Sequence, residues 1–481
     1  MRMTSAVHYS EKIMAGEFGD VIRGFSSKAS PLVSGLLQAD SREVPEGLKQ
    51  VGDYAPQSKP VPLSRYYDPA FADLEKEKLW KKTWQYACRE EDIPEVGDRY
   101  KYDVGTLSWF IVRSAPGEIK AFNNACLHRG TQLCSNNGWS ESIRCPFHAW
   151  EWKLDGDLKN IPSRWDFPQV KSDDFKLPQA KVATWGGFVF INPDPDAAPL
   201  EHYLGVMPEH FKSWEPENRF TAFHIRKLVR ANWKVTMEAF LESYHVVETH
   251  TESLGFTGDA STQYDIWDQG DAHISRLITP LATPSPHLGD EASIADAANY
   301  AFQAFALAMP GVPVPKFDAD SQLTARAQVA QWRRQMMGAG LGRDFSSWPD
   351  VTMIDSVEYY MFPNFCPWYG EGLPLVYQFL PYGNDPNLSV MSVRLTAPLP
   401  GGGAPRPPSA PIREIGFDEA FNSAPEIGLL AIIFDQDMSN LPRIQEGLKA
   451  ASDHRAVATF GRYQEQRIQH FHEVLDKTLG L

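Results

Sequence analysis

The chain has 481 residues, 43% hydrophobic and 22% charged, a balance that suits a large buried core and excludes intrinsic disorder. Lys and Arg number 46 against 61 Asp and Glu, and the net charge of −15 argues against a nucleic acid or an anionic membrane as a general partner. Five scattered cysteines exclude a disulfide framework, and no run of about 18 apolar residues marks a membrane span, so a soluble, cytoplasmic protein with reduced thiols is expected.

In chain order, residues 1–60 mix short apolar helical patches with polar breaks and are expected to form a helical arm on the larger, C-terminal domain. Asp68 to Trp80 opens on Asp-Pro and carries Phe71, Leu74 and Leu79 for a buried side, which predicts a helix. From Trp84 to Pro195, runs such as SWFIV and WGGFVFINP, punctuated by Gly, Pro and Asn, predict short strands. Residues 61–195 are therefore read as one all-β domain and 196–481 as a second domain. Within the second, Phe220 to Arg230 predicts a strand and Ala231 to His250 a helix. An excursion over about 255–349 contains two helical stretches and is read as an insertion that walls or lids a pocket. Val357 to Phe362 and Leu388 to Leu399 predict strands, Pro398 to Pro411 a Pro/Gly surface loop, and Asp418 onward a helical tail.

Two mixed pairs stand inside the β domain: Cys126-Leu-His128 and Cys145-Pro-Phe-His148. Each offers a thiolate and an imidazole from a tight turn, and two Cys with two His is the ligand set of a Rieske [2Fe–2S] centre. A structural zinc site is the rival, but zinc usually draws paired cysteines and paired histidines, whereas each turn here mixes the two. CLHRG, CPFHAW and the following WKLDG resemble the Rieske domain of ring-hydroxylating oxygenase α subunits. The resemblance implies that Cys126 and Cys145 hold one iron and His128 and His148 the other. Phe147 and Ala149 depart from the family's CPYHGW, at positions that tune hydrogen bonding around the cluster. Cys134 is read as structural.

The segment NWKVTMEAFLESYHVVETH holds Glu242, His245 and His250. Glu242 and His245 fall on one helical face. His245 and His250 are about 140° apart on an ideal helix, so both reach one metal only if the segment distorts between them. A 2-His-1-carboxylate iron site also needs an acid from elsewhere in the chain. This segment resembles the same family, which implies His245 and His250 as ligands of a mononuclear Fe(II). Glu242 then takes the place of the acid, usually Asp, that bridges to the neighbouring subunit's Rieske histidine. FDQDMSNLPRIQEG resembles the family's third-ligand segment, with Asp437 aligned best and Asp435 as the alternative.

The resemblance further implies an α+β fold, with an all-β Rieske domain beside a helix-grip, START-like domain whose antiparallel sheet is wrapped by helices. It implies a trimer, with or without β subunits, and electrons from a separate reductase, directly or through a ferredoxin. O₂ and a small organic substrate are the expected reactants, with hydroxylation of an aromatic or other hydrophobic molecule as the leading reaction. Monooxygenation or demethylation, and oxidation of a quaternary amine, are the alternatives; a Rieske electron carrier with a degenerate iron site is the non-enzyme one. Phe240, Trp267, Tyr359, Phe362 and Trp368 are candidate pocket residues, though such aromatics are more often core. Gly338 to Gly342 (GAGLG) follows a helical segment rather than a strand and is set aside as a dinucleotide loop. His202, His210, His224, His454, His470 and His472 show no ligand spacing and are read as structural or exposed.

Overall fold

Two large β-sheets in succession organise the chain. The computed structural model describes residues 24–57, 59–307, 311–451 and 456–481; His454 and the first 23 residues lie outside the described residues. The arm enters through α1 (Val33–Gln38) and α2 (Glu46–Lys49), and Asp68 then caps α3 (Pro69–Glu75) by accepting from the Ala70 N–H. A π-helical turn at Lys76–Trp80 completes the expected helix. α3 delivers Glu75 to the Asn-Trp-Lys sequence: Lys234 Nζ lies 2.7 Å from Glu75 and Trp233 Nε1 donates to it at 3.2 Å. That buried ion pair docks the start of the β domain onto the catalytic half.

The β domain holds β1 (Gln85–Arg89), β2 (Asp98–Val104), β3 (Leu107–Ala115), β4 (Glu118–Asn123), β5 (Gly138–Trp139), β6 (Ile143–Arg144), β7 (Glu151–Trp152), β8 (Leu158–Asn160), β9 (Gln179–Trp185) and β10 (Phe188–Asn192). Seven of these pair in the order β1-β10-β9-β4-β3-β2-β5, and β6-β7-β8 form a small second sheet. A core of Phe110, Phe122, Trp150 and Trp152 joins the sheets, and the two Cys/His turns sit at its edge.

The second sheet has eight strands: β11 (Arg219–Val229), β12 (Gln263–Gln269), β13 (Ala272–Thr279), β14 (Ser356–Met361), β15 (Cys366–Tyr369), β16 (Leu375–Pro381), β17 (Ser389–Pro398) and β18 (Ile412–Ile415). Their order is β12-β13-β14-β15-β16-β17-β11-β18, antiparallel except for the edge pair β11–β18. Helices α4 (Trp233–Glu238), α5 (Val246–Thr249), α6 (Ile294–Leu307), α7 (Ala325–Leu341), α8 (Asp350–Ile354), α9 (Leu430–Ala450) and α10 (Gln466–Leu479) accompany it. The α+β class and the helix-wrapped antiparallel sheet are those expected from the sequence.

The 255–349 excursion is not wholly an insertion, which corrects the sequence reading. Its first part supplies β12 and β13, a hairpin at the end of the main sheet. Asp265 and Arg276 are fully buried on these strands and pair with each other at 2.6 Å, so charges stand where a strand pattern calls for apolar residues. Only the later part leaves the sheet, where α6 and α7 build a small core of their own with Phe302, Val329 and Trp332. The GAGLG stretch is the end of α7, with Gly342 in the left-handed conformation beyond it. The loop after β17 has no regular structure until β18.

The described part of the arm lies on the β12–β13 hairpin. Arg276 donates to the carbonyls of Gly47 and Gln50, and Tyr54 N–H donates to Ile266 O at 3.3 Å. Gly52 is the close approach: a Cβ there would lie 2.2 Å from the Ile266 nitrogen. No helix of the described residues is long and apolar enough to cross a membrane.

Candidate metal centres

The first constellation sits on two matching turns. After β4, the Gly130 N–H donates to Cys126 O at 2.8 Å, with Gly130 at φ +78°; after β6, the Ala149 N–H donates to Cys145 O at 3.1 Å, with Ala149 at φ +58°. Each turn thus folds its Cys and His toward the other turn. The His128 and His148 ring centroids are 4.7 Å apart, and Trp150 stacks on His128 within 3° of parallel. Cys126 and Cys145 are buried free thiols.

The surroundings act differently on the two thiols. Burial alone would raise the Cys145 thiol, but the N–H groups of Phe147 and His148, with Cys126 and Thr131, outweigh it and hold it below the usual thiol range. Burial wins at Cys126, which is pushed up despite the N–H groups of His128 and Arg129. Burial, the neighbouring His148 and Arg129 all disfavour a charged His128. Thiolate-stabilising amides beside a neutral imidazole suit metal ligation, since ligands bind deprotonated. The His148 side is open: Phe147 is 60% exposed and lies tilted against His148 at 3.9 Å between centroids. Cys134 is buried in the same core as the two turns, its Sγ donating to Asn136 O.

The second constellation forms where helix and turn alternate. α4, capped by Asn232, stops at Glu238; residues 239–245 turn, and α5 is a single turn that ends at His250 with φ −119°. The break lies before His245 and at His250 itself, whereas residues 246–249 between them form a helical turn, contrary to the sequence reading. Glu242 and His245 do not share a helix face, contrary to the sequence reading. Instead the Glu242 carboxylate accepts from the backbone N–H of Tyr244 and His245, turning the chain.

His245 Nε2, His250 Nε2 and Asp437 Oδ1 converge, with separations of 3.2, 3.1 and 3.6 Å. Three donors each ~2.1 Å from one ion stand roughly 3.0–3.4 Å apart; two of the separations lie in that range and the His245–Asp437 one, at 3.6 Å, is slightly longer, a spacing a single first-row metal would draw in. Both outer nitrogens are occupied: His245 Nδ1 meets Glu242 Oε1 at 2.7 Å and His250 Nδ1 meets Gln436 Oε1 at 2.7 Å. Such partners fix the tautomer and aim each Nε2 lone pair at the ion. Without a cation, burial opposes charging His245, yet Glu242 and then Asp437 raise it to about 9. The proton fills the place of a positive ion in an acid-rich donor set.

α9 supplies Asp437 from its inner stripe, Ala431, Phe434, Asp437, Leu441 and Gln445, all buried. Asp435 faces elsewhere, accepting from the N–H groups of Phe421 and Asn422 at 2.7 and 3.2 Å. The stripe was the available signal: Phe434 and Leu441 bracket position 437 at helical spacing. Phe240, Tyr377, Phe379 and Phe434 form an aromatic cluster that includes the residue one turn before Asp437, with Phe240 at 5.2 Å from Tyr377 and 5.4 Å from Phe379. Burial, then the charges of Glu358 and Asp437, push the Tyr377 hydroxyl far up. Trp368 joins this cluster through Tyr377, and Phe362 packs on Phe471. Trp267 and Tyr359 belong instead to a different core, bracketing Arg276.

Of the remaining histidines, His202 is exposed, and His210, His224 and His472 have hydrogen-bonding partners in Tyr359, Ser392 and Tyr66. Among the described residues no hydrogen bond, ion pair or ring contact joins the two metal-ligand clusters directly.

Comparison with known proteins decides the family. Residues 209–480 match the ring hydroxylating alpha subunit (catalytic domain) and residues 83–171 the Rieske [2Fe-2S] domain. The chain belongs to the ring-hydroxylating α-subunit family. Members combine a Rieske cluster with a mononuclear non-haem iron, and the donor sets above fit both. The carnitine monooxygenase oxygenase subunit of Escherichia coli is 32% identical over 193 residues, 40% of this chain and 52% of that protein. The glycine betaine monooxygenase oxygenase subunit of Pseudomonas aeruginosa is 26% identical over 290 residues, 60% and 64%. The biphenyl 2,3-dioxygenase subunit alpha of Rhodococcus jostii is 31% identical over 191 residues, 38% and 42%. The match thus spans about half the length of these curated relatives. Among solved structures, a quaternary ammonium Rieske monooxygenase holding L-carnitine aligns with a TM-score of 0.58 at 17% identity, over 88% of this chain and 96% of that one. Naphthalene 1,2-dioxygenase from Rhodococcus gives 0.56 at 19%, over 87% and 94%.

Proposed function

We propose that this protein is the terminal oxygenase component of a multicomponent system, oxidising a small organic molecule with O₂ and externally supplied electrons. The observation that carries this reading is the 3.1–3.6 Å triad of His245, His250 and Asp437 in a chain that also has a Rieske domain. In this reading residues 61–195 are the Rieske domain, 196–481 the catalytic domain, and 1–60 the arm. Cys126, Cys145, His128 and His148 hold the cluster; His245, His250 and Asp437 hold the iron. Loaded, the two groups supply one-electron transfer and reductive activation of O₂.

The chain's own residues then have separable tasks. His245, His250 and Asp437 would hold the ion through only three protein ligands, which would leave it able to bind O₂ beside the substrate. Glu242 orients His245 through Nδ1 and links the triad to a neighbouring subunit's Rieske histidine. Gln436 orients His250 and is itself held by Glu252 at 3.2 Å. Phe240, Tyr377, Phe379 and Phe434 exclude water beside Asp437 and present aromatic surface to the substrate. A trimer, with or without β subunits, fed by a separate reductase, directly or through a ferredoxin, completes the system. The exposed Phe147 edge of His148 supports docking at that face.

An aromatic or other hydrophobic substrate suits this apolar wall. A second reading is favoured by the same rings: aromatic faces also hold a quaternary ammonium group, and carnitine and glycine betaine monooxygenases are among the relatives. The deciding experiment begins with anaerobic protein, which should carry about three irons and two sulfides per chain. Reduced protein then receives ¹⁸O₂ with either aromatic acids or betaines. Label in a ring-hydroxylated product supports the first reading, and label lost with a methyl group as aldehyde supports the second. Two irons per chain and no product would leave an electron carrier.

A further inference from the structure

A second cluster of ligand-type side chains lies outside both centres. Asp268 and His273 stand directly opposite each other on β12 and β13, and His470 reaches them from α10. Their ligand atoms lie within 4.8 Å of one another. His273 Nδ1 is 2.7 Å from Asp268 Oδ1, while His470 Nε2 faces Asp268 Oδ2 at 3.4 Å. His470 is 2% exposed, yet its Nε2 makes no hydrogen bond of acceptable geometry among the described residues. Its contact to Asp268 at 3.4 Å is long for a hydrogen bond but is what two ligands of one ion, each ~2.1 Å from it, adopt; the 2.7 Å His273–Asp268 contact is a hydrogen bond that an ion would open by a few tenths of an ångström. The Asp268 and His273 side chains keep 18% and 12% exposure, which leaves a path for an ion to enter and for water to complete its shell.

We infer that Asp268, His273 and His470 form a third metal site, taking a divalent ion of the zinc class that staples the C-terminal helix to the β12–β13 hairpin. Two imidazoles and one carboxylate select a borderline ion over Ca²⁺ or Mg²⁺, which prefer oxygen ligands alone. The position suits a structural role. Tyr54 of the arm packs on His470 at 5.4 Å between centroids, and Lys477 of the same helix reaches the hairpin turn at Gly270 O, 3.4 Å away. Helix, hairpin and arm therefore meet at one ion. The inference does not depend on the proposed oxygenase activity.

The test uses the full chain carrying His250→Ala, so that zinc cannot be counted in the triad, with a full sulfide content to show that the Cys/His turns are occupied. Zinc chloride is the probe. About one zinc per chain is expected to survive gel filtration, with a rise of several degrees in the thermal midpoint. Asp268→Asn and His273→Gln, which keep size and shape, should each weaken zinc binding by roughly 100-fold and erase the thermal shift while leaving the cluster's visible spectrum intact. No zinc above background, or zinc binding that both variants leave unchanged, would overturn the site and leave a hydrogen-bonded trio.

Discussion

His245 Nδ1 lies 2.7 Å from Glu242 Oε1, and the other oxygen of the same carboxylate accepts the backbone N–H groups of Tyr244 and His245. One side chain thus both shapes the turn and sets the tautomer of an iron-ligand candidate. Its substitution should separate metal binding from turnover. Glu242→Gln keeps an acceptor for Nδ1–H but removes the charge. Iron content should stay near the wild-type level, while single-turnover product yield falls about 100-fold. Product formation at the wild-type rate in Glu242→Gln would remove Glu242 from the electron and proton path.

The same contact makes metal uptake pH-dependent. Burial opposes the charge on metal-free His245, but Glu242 and Asp437 raise it from 6.5 to about 9. A raised histidine favours the folded state fully below about pH 6.5, and that contribution fades as pH climbs through about 9. A metal must displace the proton. The logarithm of Fe(II) or Co(II) affinity should therefore rise by about one per pH unit between 6.5 and 9 and then flatten. Thermal midpoints of apo protein should drop over that interval while the metal-loaded protein holds level; parallel curves would contradict the proton's placement.

The two turns that carry Cys126 and Cys145 predict a pair of opposite stability effects. Ala149 sits at φ +58°, where an L-residue costs ~1 kcal/mol and glycine does not. Gly130 occupies the matching position at φ +78°, and a Cβ built there meets no atom within 4 Å. Ala149→Gly should stabilise the β domain by ~1 kcal/mol and Gly130→Ala should destabilise it by about as much, read by denaturant melts of holo protein. Equal melts would show that the cluster, not the backbone, fixes these turns.

What the sequence made visible follows from how local each signal is. Cys126 to His128 and Cys145 to His148 are contacts within single turns, so spacing alone exposes them. Asp265 and Arg276 lie eleven residues apart in sequence and neutralise each other at 2.6 Å across the β12–β13 hairpin. Read along the chain, each charge argued against a strand, and only the pairing restores the pattern. The same holds for His470, which meets Asp268 and His273 through packing of α10 on the hairpin and through no repeat of spacing. The residue pattern carries a helix through Ala231 to His250 because no Gly or Pro marks the interruption at residues 239–245, whose last part is turned by backbone bonds to Glu242.

The choice between the two acids of α9 gives the sharpest test of the iron site. Residues two apart on a helix point about 200° apart, so Asp435 and Asp437 cannot serve one ion together. Asp437 faces His250 Nε2 at 3.1 Å from the buried stripe, whereas Asp435 is engaged by the N–H groups of Phe421 and Asn422. Asp437→Ala should lose the mononuclear iron, taking iron from about three to about two per chain while sulfide stays at two. Asp435→Asn should keep all three irons and lose ~1 kcal/mol of stability, because an amide accepts backbone N–H groups less strongly than a carboxylate. The opposite result, iron retained in Asp437→Ala and lost in Asp435→Asn, would require α9 to rotate by half a turn. That rotation would break the bonds from Asp435 to the Phe421 and Asn422 N–H groups and turn Phe434 out of the core, so the iron count also reports on the packing of the helix.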